Sequence, residues 1–168
     1  MREKYFIKKE GILLFKAFLK KRHCKLKDFL NFLNFINVEK PIKFSYVDAD
    51  ATLFPNITLK ENILLESISN SLANSKEFQL REFFKRKDNK HLAKLFEKIK
   101  KLDIPSHKAD MESKKLTVII KAFLQDVDYL FFESPEKHLS GENLKIFIRA
   151  LKYHVKGPDK VALISTST

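Results

Sequence analysis

The sequence predicts an α/β protein with a parallel sheet core and an inserted helical subdomain. Two late segments carry this prediction, because YLFFE at Tyr129–Glu133 and VALIS at Val161–Ser165 are almost wholly apolar and are joined by a helical pattern. Such strands are typical of parallel sheets that helices cover. Residues 60–103 carry only helical patterns. We therefore expect a single domain with a core of about residues 1–58 and 112–168 and a helical subdomain of about residues 59–111.

The first part of the chain is expected to supply strands and one helix. The run GILLFKAFL (11–19) is continuous and apolar, which fits either a buried strand or the start of a helix. At Asp28–Phe35 the apolar side chains follow a helical period, with Asp28 as a candidate N-cap. Pro41 ends that segment, and KFSYV (43–47) then predicts a short strand.

Three helices are predicted in the inserted segment. Thr58 and Glu61 have the spacing of a capping box, which predicts a helix from there through about Leu72. Two more are predicted at Phe78–Phe84 and Asn89–Leu102. The last has lysines on one face and these apolar residues on the other: Leu92, Leu95, Phe96, Ile99 and Leu102. A solvated surface explains that lysine face more simply than a binding site does.

The last third of the chain predicts two helices that alternate with the two apolar strands. Glu112–Gln125 fits a helix that leads into the first strand. Ser140 is a candidate N-cap for a helix that ends at about His154, and Gly157 and Pro158 then predict a turn.

Composition limits the class of protein. The chain has 168 residues and is 44% hydrophobic, enough for one domain with a real core. No apolar stretch reaches the roughly 20 residues that span a bilayer, and the first residues lack a secretory signal, so we expect a cytoplasmic protein. Cys24 is the one cysteine, which excludes an internal disulfide and a cysteine-based zinc cage. The histidines are scattered, and we expect no metal site.

The chain is strongly basic, and its positive charge has two explanations. Lys and Arg number 33 against 21 Asp and Glu, which gives a formal net charge of +12. A basic chain suits an anionic partner such as RNA, DNA or a lipid surface. An AT-rich genome also produces lysine-rich chains without selection for binding, so the charge alone decides little.

Glycine is scarce. The chain has 3 glycines, where average usage would give about 12. They are Gly11, Gly141 and Gly157, far apart in the sequence. Loops that bind phosphate need clustered glycines, because the backbone N–H groups approach the phosphate in conformations that a Cβ disfavours. An ordinary nucleotide-phosphate loop is therefore excluded, and we expect no nucleotide cofactor.

Several segments nevertheless resemble the ABC-type (ATP-binding cassette) ATPase domains. YVDADATLFPNITLKENIL (46–64) resembles their Q-loop region, and LFFESPEKHLS (130–140) resembles the Walker B strand and D-loop. KVALISTST (160–168) is similar to the strand that leads to the switch histidine, KKEGILLF (8–15) to the strand before the P-loop, and LNFLNF (30–35) to the helix after it. The order and spacing match over nearly the whole chain. The resemblance implies a reduced P-loop NTPase-like core of the ABC type.

The resemblance fails at the catalytic motifs. The P-loop would fall in residues 17–28, AFLKKRHCKLKD, which contain no glycine, and the LSGGQ signature aligns with residues 109–113, ADMES. Ala49 aligns with the Q-loop glutamine, Glu133 with the Walker B aspartate and Ser134 with the catalytic glutamate. Ser140 aligns with the D-loop aspartate, and Ser167 with the switch histidine (Thr166 if the register slips). A serine cannot act as the general base that activates water. The resemblance therefore implies a catalytically dead protein, not an enzyme.

The leading hypothesis is a pseudo-ATPase that binds a protein partner. In the family, the surface after the Q-loop receives coupling helices of the transporter's membrane subunit. The expected partner is therefore such a subunit or another protein assembly. The chain is expected to be peripheral to a membrane or bound in a complex. The residues of that surface that match the family are Leu53, Phe54, Pro55, Asn62 and Ile63. Helix capping and core packing explain the same residues somewhat better.

The alternative hypothesis is a basic RNA- or ribosome-binding protein that reuses the ABC fold. It requires the lysine-rich stretches at 16–27, 85–101 and 114–115 to join into one continuous face with salt-sensitive affinity.

Overall fold

The computed structural model describes residues 5–9, 12–16, 43–65, 77–156 and 160–166. Its strands form one sheet in the order β1–β2–β5–β4–β3, with β1 at Tyr5–Lys9, β2 at Ile12–Lys16, β3 at Phe44–Val47, β4 at Tyr129–Glu133 and β5 at Val161–Ser165. Strands β2, β5, β4 and β3 are parallel, and β1 pairs antiparallel with β2. The predicted parallel core is confirmed, and the first apolar run contains a strand.

The described helices are α1 at Leu59–Leu64, α2 at Glu77–Lys85, α3 at Lys90–Phe96, α4 at Met111–Leu124 and α5 at Gly141–His154, with a short 3-10 turn at Ser106–Lys108. Helices α1 to α3 lie between β3 and β4 in the chain, as the helical patterns predict. The boundaries of core and subdomain stay a prediction. None of the helices in these ranges is both long and apolar enough to cross a bilayer.

The capping box at the start of α1 is confirmed, but the helix is shorter than predicted. Glu61 donates its N–H to Thr58 Oγ1 over 3.1 Å, and the Thr58 N–H donates to Glu61 Oε2 over 2.7 Å. The expected extension to about Leu72 is wrong, because Leu65 takes an extended conformation and caps the helix. Residues 66–76 lie outside the described residues.

Helix α3 also ends early. Its predicted apolar face is buried, yet the helix stops at Phe96 and not at Leu102. The chain beyond it leaves the helix to pair with the first turn of α1: Lys60 donates its N–H to the Leu102 carbonyl over 3.0 Å, and Leu59 to the Ile104 carbonyl over 3.1 Å. These carbonyls satisfy N–H groups that a helix start leaves open.

Aromatic side chains join α4 and α5 to the sheet. Phe123 of α4 and Phe147 of α5 both pack on Phe132 of β4, with ring centres 5.6 Å and 5.0 Å away. All three are buried. This packing holds both helices against β4. The helix predicted at Asp28–Phe35 lies outside the described residues.

Candidate functional site at the carboxyl ends of β3, β4 and β5

The carboxyl ends of three parallel strands meet at one edge of the sheet. Val47 pairs with Phe132, and Glu133 pairs with Ser165. Ala49 lies two residues after β3, Glu133 is the last residue of β4, and Ser134 follows it. The structure therefore brings Ala49, Glu133 and Ser134 together. Thr166 follows β5 and is exposed, while Ser167 and the P-loop segment at 17–28 lie outside the described residues.

Lys115 ties two of these strand ends together. Its side chain is fully buried, at 0% exposure, and reaches from α4 between β3 and β4. The ammonium donates to the carbonyl oxygens of Asp48, Ala49 and Glu133 over 2.7, 3.3 and 3.4 Å. Burial lowers the pKa of Lys115 to about 8, and the nearby carboxylates of Asp48, Glu136 and Glu133 oppose that shift.

The sequence did not predict this role of Lys115. The alternative hypothesis requires residues 114–115 to belong to a basic face, and Lys115 does not, because its charge is buried under the strand ends. One signal was present: Lys115 adjoins the apolar run at Leu116–Ile120, which marks the buried side of a helix.

The carboxylate of Glu133, which aligns with the Walker B aspartate, is engaged within the sheet. The Tyr46 hydroxyl of β3 donates to Glu133 Oε2. Tyr46 in turn stacks on Phe131, its partner in the strand register, with ring centres 5.2 Å apart. The carboxylate is thus held against β3 by a tyrosine that packing keeps in place.

Ser134 aligns with the family's catalytic glutamate in the sequence, and its side chain is buried at 1% exposure. Its backbone has a positive φ of 42°, and its N–H donates to the Ser165 carbonyl over 2.6 Å. The hydroxyl meets no hydrogen-bond partner within the described part of the chain. A buried hydroxyl without a partner costs stability.

We expect Ser134→Ala to leave the protein as stable as before or to stabilise it by about 1 kcal/mol, because it removes that hydroxyl. Urea unfolding measures the change. Ser113→Ala on α4 serves as a control and should destabilise, since the Ser113 hydroxyl donates to Asp110 Oδ2 over 2.8 Å. A loss of more than about 1 kcal/mol on Ser134→Ala would mean that the hydroxyl is bonded, and the account of this position would be wrong.

The positions matched to the signature and the D-loop bind each other. Asp110 caps α4 by accepting the Ser113 N–H over 2.8 Å. Glu112 accepts the Ser140 N–H over 2.6 Å and the Asn143 side-chain amide over 2.8 Å. The Ser140 N–H holds the pKa of the Glu112 carboxyl below its ordinary value. These residues join the starts of α4 and α5.

Ordinary residues hold the backbone conformations in which glycine is usual. Ala51, Ser134 and His138 have φ values of 57°, 42° and 68°, and all three lie in the loops that follow β3 and β4. Lys137 and Asp50 form an ion pair of 2.5 Å between the same two loops. Left-handed backbone at non-glycine residues costs on the order of 1 kcal/mol each and persists where surrounding bonds hold it.

The loop before α1 displays an aromatic ring on a fixed backbone. Asn62 is fully buried; its Oδ1 accepts the Phe54 N–H over 3.0 Å, and its amide donates to the Phe54 carbonyl over 3.1 Å. Ser106 Oγ donates to that carbonyl over 2.7 Å. The Phe54 ring is nonetheless 56% exposed, with Lys121 Nζ 5.8 Å from its centre.

The five residues matched to the family's docking surface thus fall into two groups. Phe54 and Pro55 are exposed, and Leu53 is half-buried against the core. Asn62 and Ile63 are buried: Asn62 holds the loop through its side-chain amide, and Ile63 packs in the core. Across the described ranges, no three His, Cys, Asp or Glu side chains converge as they would around a metal ion.

No protein-family model matches the chain, and no curated protein does. Solved structures do. An ATP-binding subunit of an ABC transporter aligns with a TM-score of 0.54 and 16% identity over 74% of this chain and 49% of that one. An RNase-L inhibitor aligns with a TM-score of 0.59 and 21% identity over 92% of this chain and 28% of that one.

A third structure is the complex of the archaeal ribosomal stalk protein aP1 with the archaeal ribosome recycling factor aABCE1, with a TM-score of 0.58 and 18% identity over 97% of this chain and 32% of that one. The chain spans about half the length of the transporter subunit and about a third or less of the other two. The resemblance found in the sequence is confirmed at the level of the fold: the chain has the fold of the ABC-type ATP-binding domains.

Proposed function

We propose that this chain is an ABC-type domain that has lost ATP hydrolysis and works as a structural or regulatory protein-binding module. The observation that supports this most is that Glu112, Glu133 and Ser140, which align with three of the catalytic motifs, are engaged in bonds within the chain. Glu112 and Ser140, matched to the signature and the D-loop, bind each other. Glu133 is held by Tyr46, and Lys115 occupies the space between the ends of β3 and β4.

The base that hydrolysis needs has no counterpart at its position. In phosphoryl transfer to water, a positioned carboxylate or amide orients the nucleophile, and losing such a group commonly costs 10² to 10⁴ in rate. Ser134 offers a buried hydroxyl, and Ala49 offers a methyl group in place of the Q-loop glutamine. These residues do not fit the ATP and Mg²⁺ that the fold family uses. The proposed protein therefore works without a nucleotide cofactor.

The partner site we propose is the exposed ring of Phe54 with Pro55 and the half-buried Leu53 beside it. Asn62 and Ser106 hold the loop that carries the ring, so little conformational entropy is lost when a partner binds. Aromatic anchors of this kind dominate many protein interfaces. Lys121 next to the ring favours a partner whose apolar pocket has an acidic edge.

A transporter's membrane subunit or another protein assembly is the proposed partner. One of the structural neighbours was solved in a complex with a ribosomal stalk protein, which is a precedent for a protein partner on this fold. With a membrane subunit as partner, the chain would sit at the cytoplasmic surface of the membrane.

The experiment is site-specific photo-crosslinking of the full chain in cells of the source organism. A photoreactive phenylalanine at position 54 should give one discrete crosslinked protein. The same group at exposed Lys43, at the opposite end of β3, should not. Purified partner should then bind Phe54→Ala at least tenfold more weakly than wild type, with the melting temperature unchanged because the ring is 56% exposed.

Identical crosslinks from positions 54 and 43, or an unchanged affinity of Phe54→Ala for the captured protein, would contradict the docking proposal.

A further inference from the structure

A groove lies between α3 and α5, which run antiparallel. At one end Lys98 Nζ and Glu142 Oε1 form an ion pair of 2.7 Å. At the other end the rings of His91 and Tyr153 stack with their centres 4.4 Å apart. Between these two contacts lies a cleft of about 410 Å³.

The walls of this groove are predominantly cationic. Lysines and one arginine outnumber carboxylates among the lining residues, which are Lys94, Glu97, Lys98, Glu142, Lys145, Ile146 and Arg149. Lys98 and Glu142 neutralise each other. Within the described ranges, no carboxylate forms an ion pair with Lys94, Lys145 or Arg149. These three exposed cations leave the groove with a net positive charge.

The cations on α5 continue toward an aromatic ring. Lys145, Arg149 and Tyr153 follow one another at intervals of four residues and therefore share one face of the helix. Tyr153 is 48% exposed while it stacks on His91, and Lys156 Nζ lies 5.6 Å from its ring centre. A half-exposed ring held by stacking at the end of a cationic row is a platform on which a flat aromatic group can stack.

We propose that the groove between α3 and α5 binds single-stranded nucleic acid. Lys94, Lys145 and Arg149 contact the phosphates, and one base stacks on the outer side of Tyr153 in place of Lys156. Such a combination of backbone-tracking cations with an aromatic platform is how proteins bind single strands without reading sequence. The proposal is independent of the docking site at Phe54 and of the proposed loss of ATP hydrolysis.

The dimensions agree with a short strand. From Lys145 to Tyr153 the helix axis rises about 12 Å, the length of about three to four stacked nucleotides. An acidic peptide would use the cations but leave the ring unexplained, and an anionic bilayer is flat and would not enter the groove. Some lysines of the 85–101 stretch thus belong to a cationic face, although Lys115 does not.

The test is fluorescence anisotropy with the full chain and labelled oligouridine or oligothymidine of about 12 nucleotides, titrated between about 50 and 200 mM salt. The groove variant is Lys94→Gln, Lys145→Gln and Arg149→Gln together. The matched control removes the same charge elsewhere, by Lys43→Gln, Lys108→Gln and Lys114→Gln. We expect at least tenfold weaker binding by the groove variant than by the control, and a salt slope smaller by about 2 than that of wild type.

The ring is tested with a second pair of variants. Tyr153→Ala should weaken binding about tenfold or more, whereas Tyr153→Phe should bind like wild type, because stacking needs the ring and not the hydroxyl. The ribo- and deoxyribo-oligonucleotides together show which of the two the groove prefers. The proposal is overturned if neither is bound at low salt or if the groove variant and its control bind equally. It is also overturned if polyglutamate, added at the same concentration of charge, displaces the oligonucleotide while Tyr153→Ala leaves oligonucleotide binding unchanged.

Discussion

Replacing Asn62 by alanine should destabilise the protein by about 2–4 kcal/mol, although the residue lies in no catalytic position of the family. The side chain is fully buried and bonds the Phe54 N–H, the Phe54 carbonyl and the Thr58 carbonyl. The carbonyls have other donors, since Ser106 Oγ also reaches the Phe54 oxygen. The Phe54 N–H would lose its partner, and the loop would lose the contact that fixes it to α1.

Thermal or urea unfolding measures this loss, and Asn56→Ala is the matched control. Asn56 lies in the same loop but is exposed, so its replacement should stay within about 0.5 kcal/mol of wild type. Equal effects of the two substitutions would contradict the role assigned to Asn62. The same loss should weaken partner binding through Phe54, because the ring is displayed on the backbone that Asn62 holds.

Stability should rise with pH between about 8 and 10.5 because of Lys115. Burial lowers the pKa of Lys115 in the folded protein to about 8, whereas in the unfolded chain it returns to 10.5. In that window the unfolded chain holds the proton that the folded protein has released, so raising the pH favours the folded state. The free energy of unfolding should increase by up to about 3 kcal/mol across the window.

The measurement is urea unfolding at several pH values for wild type, Lys115→Met and Lys114→Met. The difference between wild type and Lys115→Met isolates the titration of the buried lysine, because the other titrating groups are the same in both. From pH 8 upward, the free energy of unfolding of wild type should rise relative to that of Lys115→Met. Lys114→Met, changed one position away on α4, should follow the wild-type profile. Parallel profiles for all three proteins would show that Lys115 does not titrate as described.

Much of the fold is predictable because its signals are local. The strands at Tyr129–Glu133 and Val161–Ser165 are continuous apolar runs, and both occur with the predicted bounds. Thr58 and Ser140 begin α1 and α5 as predicted, since a capping residue needs only the three residues that follow it.

The ends of helices depended on partners that are distant in the sequence. Ile99 and Leu102 keep the helical spacing of α3 and are buried, yet they lie beyond its end, because the chain there pairs with α1. Spacing and burial are the same for a helix and for a tightly packed non-helical segment, so the pattern did not separate them.

The contacts of the candidate site are the least predictable part. The three carbonyls that hold Lys115 belong to the loop after β3 and to the last residue of β4, 18 to 67 residues away in the chain. The bond between Glu112 and Ser140 spans 28 residues. Ala49, Glu133 and Ser134 lie at the same edge of the sheet because β3 and β4 are parallel neighbours whose carboxyl ends meet there. The hydrogen bonds that these residues form depend on how the helices pack against the sheet, and local sequence patterns do not show that packing.

The central claim, an ABC-type fold that does not use ATP, is tested most directly by thermal melting of the full chain with and without millimolar Mg-ATP. A ligand that binds only the folded state raises the melting temperature by mass action. At a ligand concentration one hundred times the dissociation constant, the free energy of unfolding increases by about 2.7 kcal/mol. We predict no change on adding Mg-ATP. A rise of several degrees that grows with the ATP concentration would contradict the claim, and it would place a phosphate site in a chain whose three glycines stand far apart.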